Sequence, residues 1–109
     1  VGPAQDERRG AARTGDAVTL APALAIGLAD YADPRDAADV VALLDAYARD
    51  PMGGGEPLRE AVKARLVADL AANAQAFSLI ARLDERAVGL ANCFTGYSTF
   101  AAAPLVNIH

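Results

Sequence analysis

The chain has 109 residues, of which 53% are hydrophobic, and this length suits one domain with a modest core. Its net charge is −4 and its pI is about 4.8, which argues against nucleic acid or an anionic membrane as the main partner. A single cysteine excludes an internal disulfide and is typical of a reducing compartment, so we expect a cytoplasmic protein. No apolar run approaches the roughly 20 residues that span a bilayer, so we expect no membrane segment.

The chain divides into a leader and one domain. Residues 1–22 carry charges and glycines without helical or strand periodicity, which predicts a disordered leader. Residues 23–109 show no internal boundary and are predicted to form a single domain. The domain opens with a short strand, Leu24–Ala29, in which large apolar and small residues alternate.

Two helices are predicted after this strand. Asp33 is a good N-cap and Pro34 suits the first turn, so the first helix is expected from Pro34 to about Arg49. The second helix is expected to begin at Pro57, because leucine and valine then recur every four positions on one face. It frays near residues 71–75.

The segment between the two helices, Asp50–Pro57, contains three consecutive glycines. A phosphate-binding loop is the alternative, but that motif needs a preceding strand and a Gly-Lys-Ser/Thr ending, and both are missing. We therefore predict a flexible connection between helices. The carboxylates of Asp50 and Glu56 would suit a cationic ligand beside it.

Three strands complete the chain. Ala76–Leu83 alternates apolar and polar residues, Asp84–Glu85 is the predicted turn, and Arg86 leads into the next strand. An aromatic, hydroxyl-rich elbow is expected at Thr95–Phe100, and a partial strand follows Pro104.

The predicted fold class is therefore α/β, of the α+β kind, in the order strand–helix–helix–strand–strand–partial strand. The sheet is expected to be mainly antiparallel and flanked by helices. In the last strand Leu105, Asn107 and His109 point one way, while Val106 and Ile108 point the other. Polar groups on one face of an apolar strand indicate a cleft there.

Several kinds of site are disfavoured by the sequence. One His and one Cys offer no metal-ligand spacing, so no metal is expected. Ser78 and Ser98 lack the Gly-x-Ser-x-Gly elbow of a hydrolytic triad. Cys93 has no base nearby and is interpreted as a small buried hydrophobic residue rather than a nucleophile.

The pattern Val-Gly-x-Ala in a strand, then an aromatic elbow, then Leu-Val-Asn-Ile-His resembles the third and fourth strands of the GNAT family of N-acetyltransferases. The elbow Tyr97–Phe100 is similar to the diamine and polyamine branch. The resemblance runs from Leu24 to His109. The family's Arg/Gln-x-x-Gly-x-Gly/Ala loop, which cradles the acetyl-CoA pyrophosphate, follows the fourth strand, and no such loop exists in these 109 residues. The resemblance thus implies an N-terminal, acceptor-side part, truncated before the cofactor half, with the cofactor-binding residues unknown.

The resemblance implies an N-acetyltransferase that moves an acetyl group from acetyl-CoA, its co-substrate, to a primary amine of a small molecule. His109 occupies the position of a carboxylate general base in the family, and an imidazole titrating near neutrality would serve there. The alternative, that His109 only orients a polar group, stays open. The resemblance places Tyr47, Asp50, Tyr97, Ser98, Phe100 and Asn107 in the amine-binding site, the aromatic residues acting through cation–π contact.

A different class of function also fits the sequence: a stand-alone αβ interaction module that pairs an open sheet edge with a partner and catalyses nothing. In the enzyme interpretation the partners are the small-molecule amine and either the missing C-terminal half of the domain or a second chain. A homodimer is possible in that case. Neither interpretation involves nucleic acid or a membrane.

Overall fold

The computed structural model describes residues 18–21 and 23–109. In chain order its elements are strand β1 (Val18–Ala21), strand β2 (Leu24–Leu28), helix α1 (Pro34–Arg49), a 3₁₀ turn (Pro51–Gly53), helix α2 (Glu60–Ala72) and strands β3 (Ala76–Leu83), β4 (Arg86–Ser98) and β5 (Ala103–Ile108). The predicted order of strand, two helices and three strands is confirmed, and the fold is α+β.

Within the described residues the strands form one antiparallel sheet in the order β1-β2-β3-β4-β5. The β3–β4 hairpin pairs Ala76 with Phe94 at its open end, and Leu83 with Arg86 beside its turn. The turn residues Asp84 and Glu85 both have positive φ, which is the signature of the type I′ turn that joins tight hairpins. The predicted antiparallel pairing of the last three strands is confirmed.

The sequence prediction missed strand β1, which lies inside the segment predicted to be disordered. Val18 of β1 pairs with Ile26 of β2, and the register shifts before Ala21. Val18 and Thr19 are β-branched, and such residues favour strands once a partner strand is present. Residues 1–17 and 22 of the predicted leader lie outside the described residues.

Two other predicted boundaries are wrong by a few residues. Helix α2 begins at Glu60 rather than Pro57, because the Leu58 backbone N–H donates to Asp45 and the backbone of Arg59 is extended. Strand β4 continues through 95–98, where an elbow was predicted, because these residues pair with β5. The chain reverses only over 99–102.

Helices α1 and α2 pack on one face of the sheet, here called the helix face. Val40 of α1 is fully buried there, beside Leu70 of α2 and Ile80 of β3. Leu90 and Phe94 of β4 pack against the same cluster. The core therefore packs both helices against strands β3 and β4.

The opposite face of the sheet, here called the helix-free face, is covered by neither helix. Alternation and register assign to it the residues Leu24, Ile26, Leu28, Phe77, Leu79, Ala91, Cys93, Val106 and Ile108. Its edges are open to solvent, since Ile108 is 72% exposed and Leu28 and Val106 are about half exposed. Cys93 lies on the same face but is buried, and it is a free cysteine, as predicted.

A partly buried ion-pair cluster fixes α1 against the sheet. Arg82 of β3 donates to Asp39 and to Asp36 of α1, each at 2.7 Å. Burial by itself lowers the pKa of Arg82, but the hydrogen bonds and charges of Asp39 and Asp36 outweigh it and raise the pKa. The guanidinium therefore stays charged and bridges two elements far apart in sequence.

Candidate functional site

A groove of about 700 Å³ opens on the helix face, between the C-terminal half of α1, the 3₁₀ turn and strand β4. Most of its lining is apolar, with a few polar groups, which is typical of small-molecule sites. The lining residues are Leu43, Leu44, Ala46, Tyr47, Asp50, Met52, Val88, Gly89, Leu90, Asn92 and His109.

A smaller side pocket of about 460 Å³ adjoins the groove and reaches under α2, where Leu66, Leu70 and Phe94 line it. Leu44, Asn92 and His109 line both spaces. Asn92 and His109 therefore stand where the two spaces meet, so a ligand in either space would contact them.

His109 is held at this junction by its backbone and by its ring. The His109 backbone N–H donates to the Asn92 carbonyl oxygen at 2.8 Å, which extends the β4–β5 pairing beyond Ile108. The imidazole ring lies edge-on to Phe94, with ring centroids 5.0 Å apart and planes at 88°. The cleft predicted on the His109 side of the last strand is therefore present, and His109 lines it.

Tyr47 and Asp50 form the outer part of the groove, at the end of α1. The Tyr47 hydroxyl donates to the Met52 carbonyl oxygen at 3.3 Å, and the Asp50 carboxylate accepts from the Met52 N–H at 2.9 Å. Tyr47 is more than half exposed. The structure thus brings three of the predicted site residues, Tyr47, Asp50 and His109, into one groove.

The geometry of the turn explains the glycines after Asp50, and their N–H groups are not free to bind a phosphate. A Cβ on Gly53 would lie 2.0 Å from the Tyr47 carbonyl oxygen, and Gly54 has φ near +114°, a conformation that L side chains rarely adopt. The N–H groups of Gly53, Gly54 and Gly55 all donate within the turn, to Asp50 and Pro51 carbonyl oxygens. The segment is a helix-to-helix connection, as predicted, and it is held by hydrogen bonds.

Asp45 of α1 fastens this connection from the other side. Its Oδ1 accepts from the Leu58 N–H at 2.8 Å and its Oδ2 from Arg49 Nε at 2.9 Å, while Lys63 Nζ lies 3.7 Å from Oδ1. The Leu58 hydrogen bond is the main reason that the pKa of Asp45 is lowered, and Arg49 and Lys63 add to it against the opposing effect of burial. Asp45 thereby fixes the loop that carries the outer wall of the groove.

The other predicted site residues lie at the far end of the β4–β5 hairpin. Ser98 is six positions from Asn92 along β4, roughly 20 Å at about 3.3 Å per residue. The Ser98 hydroxyl accepts from the Ala101 N–H, Phe100 is fully exposed in the turn, and alternation places Tyr97 on the helix-free face. The structure does not bring these three residues together with His109.

Asn107 lies between these two groups. It pairs with Phe94 across the β4–β5 ladder and shares the helix face with His109, but it is exposed and does not line the groove. A Cβ on Gly96 would lie 3.7 Å from the Asn107 amide nitrogen, so Asn107 reaches back over β4 toward the hairpin tip.

Sequence reasoning missed a buried polar cluster under the groove. The Tyr31 hydroxyl lies 2.7 Å from Ser78 Oγ, and Ser78 Oγ donates to Asn92 Oδ1 at 2.6 Å. Ser78 and Asn92 face each other across the β3–β4 ladder, and both are buried. The sequence did contain a signal for this cluster. Ser78 and Asn92 are polar residues at inward strand positions, and their inward neighbours are apolar.

The letters of the family's cofactor loop occur once in the chain, at Arg86–Ala91, and these residues do not form a loop. They are the first half of β4, and Leu90, Gly89 and Ala87 pair with β3 residues. Backbone groups engaged in a sheet ladder cannot cradle a pyrophosphate in the way that a loop before a helix does.

No protein-family model matches the chain, and a search of curated proteins found no match. Among the residues that the structure describes, no group of three or more His, Cys, Asp or Glu side chains is placed to hold a metal ion. Over the same residues, neither helix has both the length and the apolarity that a bilayer crossing needs.

Proposed function

We propose that this chain is the acceptor-side part of a GNAT-type N-acetyltransferase that acetylates a primary amine of a small molecule from acetyl-CoA. The observation that carries the proposal is the groove, because His109, Tyr47 and Asp50 all line it. The order of the elements and the antiparallel sheet support it, since they agree with the expectation from the resemblance.

The proposed chemistry needs one proton acceptor beside the amine. The ammonium gives a proton to the His109 imidazole, and the amine lone pair then attacks the thioester carbonyl carbon. The C–N bond forms and the C–S bond breaks, so the products are the N-acetyl amine and coenzyme A, whose thiolate takes up a proton. Phe94 packs against the imidazole edge-on and so fixes where the accepting nitrogen lies.

The groove suits the cationic form of an alkylamine. The Tyr47 ring supplies a π face for an ammonium, and the Asp50 carboxylate supplies a negative charge in the same groove as His109. The apolar wall formed by Leu43, Leu44 and Leu90 suits the carbon chain of the amine. A primary amine on a short aliphatic chain is therefore the class of acceptor that we propose.

The described residues offer the phosphates of acetyl-CoA neither a glycine loop nor a free cation in the groove. The glycine N–H groups are used within their turn, and Arg82 and Arg49 are paired with carboxylates. We therefore propose that the phosphate contacts come from the rest of the domain or from a second chain. Calorimetry on the 109-residue chain should give no binding at micromolar acetyl-CoA, and micromolar affinity would contradict this part of the proposal.

A second candidate function is the non-catalytic module that pairs an open sheet edge with a partner. It is supported by the edge strand β5, whose residues Val106 and Ile108 are exposed on the helix-free face. In the acetyltransferase proposal the same face is covered by the rest of the domain, a second chain or another copy. The two functions differ in turnover, because only the enzyme releases coenzyme A when an amine is present.

The test is an assay of the full-length protein with acetyl-CoA and a panel of primary alkylamines, in which free thiol is followed over time. His109→Ala should lower the turnover rate by about 10²-fold, because the proton acceptor is lost. Phe100→Ala is the control and should leave the rate unchanged, since Phe100 is fully exposed at the hairpin tip. No amine-dependent thiol release, or equal rates for both variants, would contradict the proposal.

A further inference from the structure

A chain of three hydrogen-bonding side chains ends in the groove. Tyr31, just before α1, contacts Ser78 of β3 at 2.7 Å, and Ser78 contacts Asn92 of β4 at 2.6 Å. Ser78 is 1% exposed and Asn92 is 7% exposed, yet Asn92 lines both the groove and the side pocket. A buried amide therefore lines the same groove and side pocket as His109.

The directions of these hydrogen bonds determine how the Asn92 amide is turned. A hydroxyl has a single proton, and Ser78 gives its proton to Asn92 Oδ1, so Tyr31 donates to Ser78. The oxygen of the Asn92 side chain is thereby committed to Ser78. The nitrogen of the same amide, Nδ2, carries two protons. Among residues 23–109 it has no hydrogen-bond acceptor.

A donor on a largely buried side chain that meets no protein acceptor takes its partner from the adjoining space, which is either water or a ligand. The network of Tyr31 and Ser78 supplies no partner for Nδ2 but holds the amide in one orientation. A ligand oxygen in the groove would supply the missing acceptor. The arrangement is therefore that of a preorganised hydrogen-bond donor.

We propose that Asn92 is a ligand-binding residue whose Nδ2 donates to a carbonyl oxygen of the molecule in the groove, with Ser78 and Tyr31 as positioning residues. This inference rests on the proposed function for the amine end of that molecule. The acceptor is then an amine that also carries a neutral carbonyl group, such as an amino amide, rather than a simple alkylamine or diamine.

The charges around the groove select a neutral carbonyl over an anion. Neither Lys nor Arg is among the groove-lining residues, while Asp50 contributes a carboxylate. A carboxylate or phosphate on the ligand would be repelled by Asp50 without a fixed cation to pair with. A neutral carbonyl oxygen needs only the amide donor that Asn92 presents.

The decisive experiment follows the Asn92 side-chain NH₂ group directly in ¹⁵N-labelled protein by NMR. The probes are 5-aminopentanamide and hexylamine, which carry the same single ammonium and a similar carbon chain, but only the first has a carbonyl. We expect 5-aminopentanamide to shift one Asn92 NH₂ proton downfield and to bind about tenfold more tightly than hexylamine. Equal shifts and equal affinities for the two probes would overturn the inference.

Variants separate binding from positioning. Asn92→Leu keeps the volume and should reduce the tenfold preference to about one, because the amide donor is lost. Ser78→Ala leaves Asn92 present but frees its oxygen, so the preference should fall and the two Asn92 NH₂ resonances should move in the free protein. If Ser78→Ala leaves both the preference and these resonances unchanged, the positioning role is wrong. Because the wild-type titration needs no variant, misfolding of either variant leaves that test intact.

The same probes distinguish this inference from the proposed function. A carbonyl preference without acetylation of either probe by the full-length protein would support the Asn92 site and contradict the acetyltransferase. Acetylation of both probes at equal efficiency, with no shift at Asn92, would support the acetyltransferase and overturn the inference.

Discussion

Both faces of the sheet carry apolar residues, but they bury them to different extents. On the helix face, Val40 and Ile80 are buried under α1 and α2, and polar residues such as Asn92 are enclosed and hydrogen-bonded. On the helix-free face, Ile108 and Leu28 remain largely exposed. Strand alternation alone makes the two faces look alike, so it is the helices that determine which face can hold a site.

The largest expected effect is on the free energy of unfolding. One substitution on each face of the sheet tests the difference between the faces. Ile80→Ala removes a side chain that is 4% exposed and should lower the free energy of unfolding by about 3 kcal/mol. Ile108→Ala removes a side chain that is 72% exposed and should lower it by less than about 0.5 kcal/mol. Urea unfolding of the 109-residue chain measures both, and similar losses for the two variants would mean that the faces are not distinct.

The next effect concerns the ion pairs that hold α1 on the helix face. Arg82→Met removes two charge-assisted hydrogen bonds and leaves Asp36 and Asp39 partly buried, so we expect a loss of about 2 kcal/mol in unfolding free energy. Arg65→Met is the matched control, because Arg65 pairs with Asp69 at the exposed surface of α2. It should cost less than about 0.5 kcal/mol in the same urea titration. An equal loss in both would show that burial does not strengthen the Arg82 pairs.

A smaller effect is expected on substrate binding. It is tested by replacing one tyrosine on each face of the sheet. Tyr47→Ala should raise the KM for the amine about tenfold, because a cation–π contact is lost from the groove. Tyr97→Ala should leave KM unchanged, since Tyr97 lies on the helix-free face near the hairpin tip. Steady-state kinetics of the full-length protein measure both constants. A raised KM for Tyr97→Ala alone would move the amine site to the hairpin tip.

The smallest effect is a change in acid stability when Asp45 is replaced by Asn. The pKa of Asp45 is lowered in the folded state, so its stabilising contribution is present above the pKa of the unfolded chain and is lost as the pH falls through the folded value. Asp45→Asn should therefore be less stable than the wild type at neutral pH, with a difference that shrinks on acidification below about pH 4. Thermal melts from pH 7 to pH 2 would follow it, and a constant difference would exclude Asp45 as the titrating group.

The sequence predicted the parts of the fold that local chemistry determines. Asp33 was expected to cap α1, and its carboxylate does accept from the Asp36 N–H; β3 was predicted with its observed bounds. The start of α2 was predicted wrongly because a distant side chain, Asp45, takes the Leu58 N–H. Propensity describes neighbours in sequence, whereas such a contact depends on the packed fold.

The site was predictable only where two clues agreed. The resemblance named Tyr47, Asp50 and His109 as site residues, strand alternation also indicated a cleft on the His109 side, and all three line one groove. The resemblance also named Tyr97 and Phe100, but Tyr97 lies near the end of β4 and Phe100 in the turn that follows, away from the groove. Asn92 was missed because a polar residue inside an apolar strand reveals its partner, Ser78, only when the register is known.

The connectivity of the sheet has a consequence for the order in which the protein folds. Strands β3, β4 and β5 are consecutive in the chain and pair through short turns, so they can form from local contacts. β2 instead joins β3 across both helices, pairing residues 24–28 with 79–83, and must close a long loop first. We therefore expect the β3–β5 meander to be structured in the folding transition state and β2 to dock later, so that substitutions in β2 speed unfolding more than they slow folding.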